Sequence, residues 1–119
     1  MITRVGIRLK IPDNEAYTAL VALQRLGIEV ARLERTEIRM KDDVRDFNPN
    51  KHVLVDLAQD GPRPGETWIS PIESPGGSAR RIVAWRLLLQ DQQPVEREIV
   101  RDAVDKLLCN PAIERAQIG

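Results

Sequence analysis

Few residues in this sequence carry reactive side chains. His52 is the only histidine and Cys109 the only cysteine, so a metal site would depend almost wholly on carboxylates. His52 follows Asn48-Pro49-Asn50, which favours a turn at the surface, and Cys109 follows two leucines, which favours a packed thiol over a reactive one. The sequence therefore predicts no catalytic, cofactor-binding or metal-binding residue.

One glycine-rich stretch has the composition of an anion contact. It reads Ser-Pro-Gly-Gly-Ser-Ala-Arg-Arg from Ser74 to Arg81 and offers flexible backbone amides beside two guanidinium groups. Neither of the glycine signatures that cradle phosphates in nucleotide-binding folds is present. The candidate anion contact is formed by Gly76, Gly77, Arg80 and Arg81. The alternative is a loop tip followed by solvated arginines.

Composition limits the classes of protein to consider. The 119 residues suit one domain spanning 1–119, and 18 basic residues balance 18 acidic ones. Because there is no basic excess, we do not expect nucleic acid as the partner. No apolar run approaches the ~20 residues that cross a membrane. A single cysteine and an N-terminus without a signal-peptide core predict a cytoplasmic protein.

The elements that would position these residues follow from hydrophobic periodicity and from Pro and Gly. A Pro/Gly-rich excursion at 41–79 separates the second predicted strand from the third. Within it, 53–57 is either a short strand or one turn of helix, and 66–72 is predicted to be a short edge strand. The second strand needs a bulge or a break near Glu34–Arg35 to keep its alternation. The main predicted elements are a strand at 4–11, a helix at 14–26, a strand at 28–41, a strand at 80–90, a helix from Pro94 to Asn110 and a strand at 112–118.

The predicted strand at 80–90 is the centre of the expected fold. It is apolar on both faces, which is typical of a strand buried on both sides. The order β-α-β-β-α-β is that of the ferredoxin-like split β-α-β sandwich, an α+β fold with two layers, here with a long insertion between the second and third core strands. Both helices would cover one face of the sheet. The other face would need the excursion or a second copy of the chain as its cover. The predicted interface residues are Val83, Trp85, Leu87, Arg4 and Arg8.

Two blocks of sequence resemble a known family. The segment from Val104 to Glu114 contains Lys-Leu-Leu-Cys-Asn-Pro-Ala-Ile-Glu. It is similar to the Lys-Leu-Leu-Ala-Asn-Pro-Val-Ile-Glu of the PurS-type small subunit of bacterial phosphoribosylformylglycinamidine synthase. The segment from Ala16 to Met40 resembles the same family in its helix, its Leu-Gly and its charged strand. The chain looks like a diverged member that carries the 41–79 excursion as an insertion.

This resemblance implies a role without catalysis by the chain alone. The small subunit helps to join a glutaminase subunit to a large synthetase subunit in de novo purine biosynthesis. The chain would then be a homodimeric accessory subunit, and at most one part of an ATP-dependent glutamine amidotransferase-type ligase complex. The alternative is a stand-alone homodimeric ligand-sensing or protein-interaction module of another pathway.

Overall fold

Six strands and two helices make up the part of the chain that a computed structural model describes, residues 4–40, 47–57, 59, 61–72 and 82–119. The strands are β1 Arg4–Leu9, β2 Arg32–Met40, β3 His52–Val55, β4 Glu66–Pro71, β5 Ile82–Leu88 and β6 Glu114–Ile118. The helices are α1 Asn14–Arg25 and α2 Arg97–Ala103, and α2 continues into a π-helical turn at Val104–Leu108.

All six strands join one antiparallel sheet in the order β3-β1-β2-β5-β4-β6. The α+β class is as predicted, but the ferredoxin-like strand order is not confirmed. In that order the first and third core strands are neighbours. Here β1 has β2 on one edge and β3 on the other, so it has no edge left for β5. The excursion changes the topology because its two strands occupy edges of β1 and β5.

The two short strands predicted inside the excursion are confirmed as β3 and β4. However, β4 is not the edge strand that its position suggested, since β5 and β6 pair with it on either side. Thr67 is fully buried and Trp68 is 3% exposed, as expected in the interior of a sheet. The predicted central strand is confirmed as β5, between β2 and β4.

The prediction of a bulge or a break in β2 is wrong. Its register runs without a break, from Arg4↔Met40 to Ile7↔Glu37 against β1 and from Arg32↔Leu88 to Ile38↔Ile82 against β5. Leu33 and Ile38 therefore lie on opposite faces of the sheet, and both are buried. The alternation looked broken because both faces of this sheet carry apolar layers.

The boundaries of the helices follow local signals to different degrees. Asp13 caps α1: its Oδ1 accepts the backbone N–H of Glu15 at 3.0 Å and of Ala16 at 3.2 Å. Gly27 follows the helix with φ of +85°. The prediction that Pro94 opens the second helix is wrong, because the chain there still runs along β5, where Val95 N–H donates to Leu87 O at 3.1 Å.

Each face of the sheet carries an apolar layer. The helix face, which α1 and α2 cover, contains a core that includes the fully buried Leu23, Leu87 and Val100. Complete burial of such a side chain stabilises the fold by about 1.5–3 kcal/mol. The outer face contains a smaller core of Ile38, Trp68 and Ala84, and Leu57 of the excursion packs against it. Of the two covers considered from the sequence, the excursion is thus present on the outer face.

Candidate functional site

An apolar groove of about 450 Å³ opens between α1 and the π-helical turn. The half-buried Trp85 of β5 lies in it, beside small residues of α1 and two leucines of the turn. Polar residues occur only toward the beginning of α1. The residues that line the groove are Asn14, Glu15, Thr18, Ala19, Ala22, Trp85, Leu107 and Leu108.

Arg35 connects the tryptophan to the N-terminus of α1. It lies directly opposite Trp85 in the β2–β5 register, and its guanidinium carbon is 5.9 Å from the indole centroid. This is within the range of a cation–π interaction. The guanidinium also lies 3.8 Å from Asp13 Oδ2 and 3.2 Å from Glu15 Oε2. These contacts hold the indole near the N-terminus of α1.

The π-helical turn shapes the wall opposite α1. Cys109 N–H donates to Val104 O at 3.2 Å, the i to i+5 bond of a π-helix, and the wider turn accommodates one more residue than an α-helical turn. Leu108 is 8% exposed and joins the core, whereas Leu107 beside it is 41% exposed. The adjacent pair therefore gives the groove one leucine fixed in the core and one that can contact a ligand.

The predicted interface residues do not lie on one surface. Trp85 and Leu87 pack on the helix face, and Val83 shares that face by strand alternation. Arg8 lies on the outer face, where its Nε donates to Thr36 Oγ1 at 2.8 Å. Arg4 is also there, with its guanidinium 6.0 Å from the Trp68 ring. Only Trp85 of this set lines the groove.

On the outer face, one buried carboxylate holds strand β4 to the turn that precedes it. Glu66 is 5% exposed, and its Oε1 accepts the backbone N–H of Arg63 at 3.0 Å and the indole N–H of Trp68 at 3.1 Å. Its Oε2 accepts a bond from Arg63 Nη2 at 3.2 Å. Trp68 is thus a buried core residue whose indole N–H has a hydrogen-bond acceptor.

Three guanidinium groups surround a second carboxylate on the same face. Glu34 lies 3.3 Å from Arg32, 3.9 Å from Arg8 and 3.9 Å from Arg86. The two longer distances exceed hydrogen-bond length. The Nε of Arg86 is also buried without an acceptor in the described part of the chain. One carboxylate therefore leaves donors of this cluster unsatisfied, and the cluster has an excess of positive charge.

The other residues singled out from the sequence have structural surroundings or lie outside the description. His52 begins β3, and its Nδ1 accepts the backbone N–H of Asn48 at 2.9 Å, so it holds a turn as predicted. Cys109 is half-buried against the helix-face core, and burial, followed by Glu114 and Asp105, raises the pKa of its thiol. The candidate anion contact of Gly76, Gly77, Arg80 and Arg81 lies outside the described residues.

The chain matches no family model, no curated protein and no solved structure. Over the residues described, no three side chains of His, Cys, Asp or Glu are grouped to hold a metal ion. None of the helices in the described residues is long and apolar enough to cross a membrane.

Reasoning from the sequence identified Trp85 but missed the walls of the groove. Thr18 and Ala22 follow Asn14 at i+4 and i+8, one face of α1. A face of small and polar residues beside the apolar stripe of a helix is a weak signal for a groove. The stripe of the second helix also contained two adjacent leucines, Leu107 and Leu108, more than one helical face can bury.

Proposed function

We propose that this chain is a non-catalytic assembly module whose groove binds an apolar segment of a partner polypeptide. The observation that carries the proposal is the groove itself, with Trp85 between the small residues of α1 and the exposed Leu107. An aromatic anchor in an apolar groove between two helical elements is the geometry in which amphipathic helices bind.

The lining favours a polypeptide over a small metabolite. The volume of the groove, about 450 Å³, is within the roughly 300–1,000 Å³ range of ligand pockets. Metabolite sites fix the orientation of the ligand with a small number of precisely placed polar groups that converge on it. Among the described residues that line the groove, only Asn14, Glu15 and Thr18 are polar, all three lie toward the beginning of α1, and Glu15 already pairs with Arg35. Non-directional apolar contact would supply most of the affinity.

More specifically, we propose that the partner complex is a cytoplasmic phosphoribosylformylglycinamidine synthase, in which the chain is the accessory small subunit. The resemblance supports this because its two blocks, 16–40 and 104–114, include both walls of the groove: Ala19 and Ala22 on one side, Leu107 and Leu108 on the other. In this role the chain contacts the glutaminase subunit and the large synthetase subunit. We make this proposal for the observed strand order and do not assume a ferredoxin-like core.

Purification of the tagged chain from a lysate of its source cells tests this assignment. Bound proteins are identified by mass after a wash at moderate salt. A glutaminase and a large synthetase subunit in near-equal amounts support the purine role. A different, reproducible partner in their place leaves the assembly role standing and removes the purine assignment.

A second candidate function is the sensing of a small anion on the outer face. The observation that favours it is the three arginines around Glu34, with unsatisfied donors at Arg86. Thermal unfolding with increasing inorganic phosphate, and then phosphorylated nucleotides, tests it. A midpoint that rises with ligand concentration in the wild type but not in Arg86→Gln supports a specific site. Equal shifts in both proteins contradict it.

A further inference from the structure

β3 forms one edge of the described sheet, and although it has only four residues, its side chains are not those that usually protect an edge strand. Natural edges carry charged residues, proline or a bulge that discourage pairing with another chain. His52-Val53-Leu54-Val55 has none of these along the strand. Val53 is 42% exposed and Leu54 is 50% exposed. The strand therefore offers an apolar edge whose outward side pairs with no other strand in the described part of the chain.

The register of β1 and β3 shows which backbone groups face outward. Lys10 N–H donates to Lys51 O at 2.8 Å, so this pair is of the hydrogen-bonded kind. In an antiparallel pair the two kinds alternate. Because Leu9 pairs with His52 and Ile7 with Leu54, the N–H and C=O of Leu54 and the C=O of His52 point away from β1. The N–H of His52 is taken by Asn48 O at 2.7 Å.

We propose that β3 pairs antiparallel with β3 of a second copy of this chain, about a twofold axis at Leu54. This centre gives a partner to each of the outward groups of Leu54 and His52 that are free to bond. The two Leu54 residues exchange two hydrogen bonds, and by the same alternation each His52 C=O accepts the N–H of Asp56 in the other copy. Centring the axis on Val53 instead would leave bonds only from Leu54 N–H to His52 C=O, because His52 N–H is already used.

The side chains that this register brings together are complementary. Val53 of one copy faces Val55 of the other, and the two Leu54 side chains meet on the helix face. His52 faces Asp56. Because His52 Nδ1 accepts a hydrogen bond from Asn48 N–H, the neutral ring carries its proton on Nε2, a donor for the opposing carboxylate. No two like charges lie directly opposite each other.

The pairing leaves the groove free. β2 and β5, which lie beneath the groove, are interior strands, whereas β3 is the outermost strand on the far side of β1. A twofold axis perpendicular to the sheet joins the two sheets into one and keeps both helix faces on the same side. Each dimer then presents two grooves in one direction. The dimer does not depend on the proposed function. Partner recovery tests the groove, whereas cross-linking and sedimentation test the β3 edge, so that either proposal can fail while the other stands.

Cysteine cross-linking in a Cys109→Ser background tests the register. The two Cα atoms of a hydrogen-bonded antiparallel pair lie about 5.5 Å apart, within the range of a disulfide. Leu54→Cys places two thiols in such a pair. Val53→Cys is a matched control, similarly exposed, whose copies would be offset along the strands. We expect interchain cross-linking of Leu54→Cys at least about tenfold faster than of Val53→Cys. Equal rates, or a faster reaction at Val53, would overturn the proposal.

A proline substitution tests the backbone contact without a new thiol. Leu54→Pro removes an outward N–H and keeps the bonds that join β3 to β1. Sedimentation at increasing concentration should show the wild type reaching the dimer mass while Leu54→Pro stays a monomer, with the same circular dichroism spectrum. A wild type that remains monomeric at every concentration would overturn the proposal, and so would a Leu54→Pro chain that dimerises equally well.

Discussion

The indole N–H of Trp68 donates to Glu66 Oε1 at 3.1 Å, on a part of the outer face where Glu66 is 5% and Trp68 3% exposed. The same oxygen accepts the backbone N–H of Arg63. Thus the carboxylate joins strand β4 to Arg63 in the segment that precedes it, and it stabilises an outer layer over which the described part of the chain places no helix. This contact explains why a glutamate can be buried there.

Replacing Glu66 with alanine should destabilise the fold by about 2–4 kcal/mol, because the buried indole N–H of Trp68 and the partly buried donors of Arg63 would lose their acceptor. Urea unfolding followed by tryptophan fluorescence measures the change. Glu98→Ala, in the first turn of α2 at an exposed position, is the matched control and should change stability little. Equal losses in the two variants would contradict this role of Glu66.

Gly6 lies beneath the methyl group of Thr36. A Cβ atom at Gly6 would come 2.7 Å from Thr36 Cγ2 and 3.3 Å from Val55 Cβ. Gly6→Ala should therefore cost about 1–3 kcal/mol of stability through overpacking. Adding Thr36→Ser removes the methyl group but keeps the hydroxyl that Arg8 contacts. The double variant should recover part of the loss in a denaturant series, and strictly additive losses would show that the crowding lies elsewhere.

The adjacent leucines of the π-helical turn should separate stability from binding. Leu108→Ala, at 8% exposure, should destabilise the chain by about 2–5 kcal/mol. Leu107→Ala, at 41% exposure, should cost less than about 1 kcal/mol and yet weaken partner binding. Thermal unfolding and a binding titration on the same preparations compare the two. If Leu107→Ala bound the partner like the wild type, the groove wall would have no binding role.

Cys109 should react slowly with thiol reagents at neutral pH. Burial, with smaller contributions from Glu114 and Asp105, raises the pKa of its thiol above the ordinary value of 9.0. The thiolate is the nucleophile, so the rate of alkylation should rise only at higher pH than in the urea-unfolded chain. Above about pH 9 the unfolded state loses this proton before the folded state, and stability should decrease as pH rises. A Cys109→Ser variant should lack this component.

The sequence located most of the strands and helices but did not show which strands pair with each other in the sheet. The excursion strands could be recognised from their β-branched and aromatic residues. Their pairing could not, because a register such as Thr67↔Trp85 joins residues far apart in the chain, and local pattern does not encode distant partners. A ferredoxin-like order followed from treating the excursion as an appendage, whereas β3 and β4 are full members of the sheet.

The candidate site was predictable only in part for a related reason. Trp85 was evident as a large apolar residue on a buried strand, but the sequence assigned it to the same surface as Arg4 and Arg8. Strand alternation alone does not show which face the helices cover. The π-helical turn was also hidden, since its five residues fit an ordinary helical stripe until Leu107 and Leu108 are seen to separate.

Partner recovery by the tagged chain with its groove filled shows directly whether the groove binds the partner. Thr18→Trp places a large side chain in the groove from an exposed position of α1, and Arg97→Trp places the same side chain at an exposed position of α2 that does not line the groove. We expect the wild type and Arg97→Trp to recover the same partners in equal amounts, and Thr18→Trp to recover at most about one tenth of those amounts. Equal recovery by all three folded proteins would contradict it.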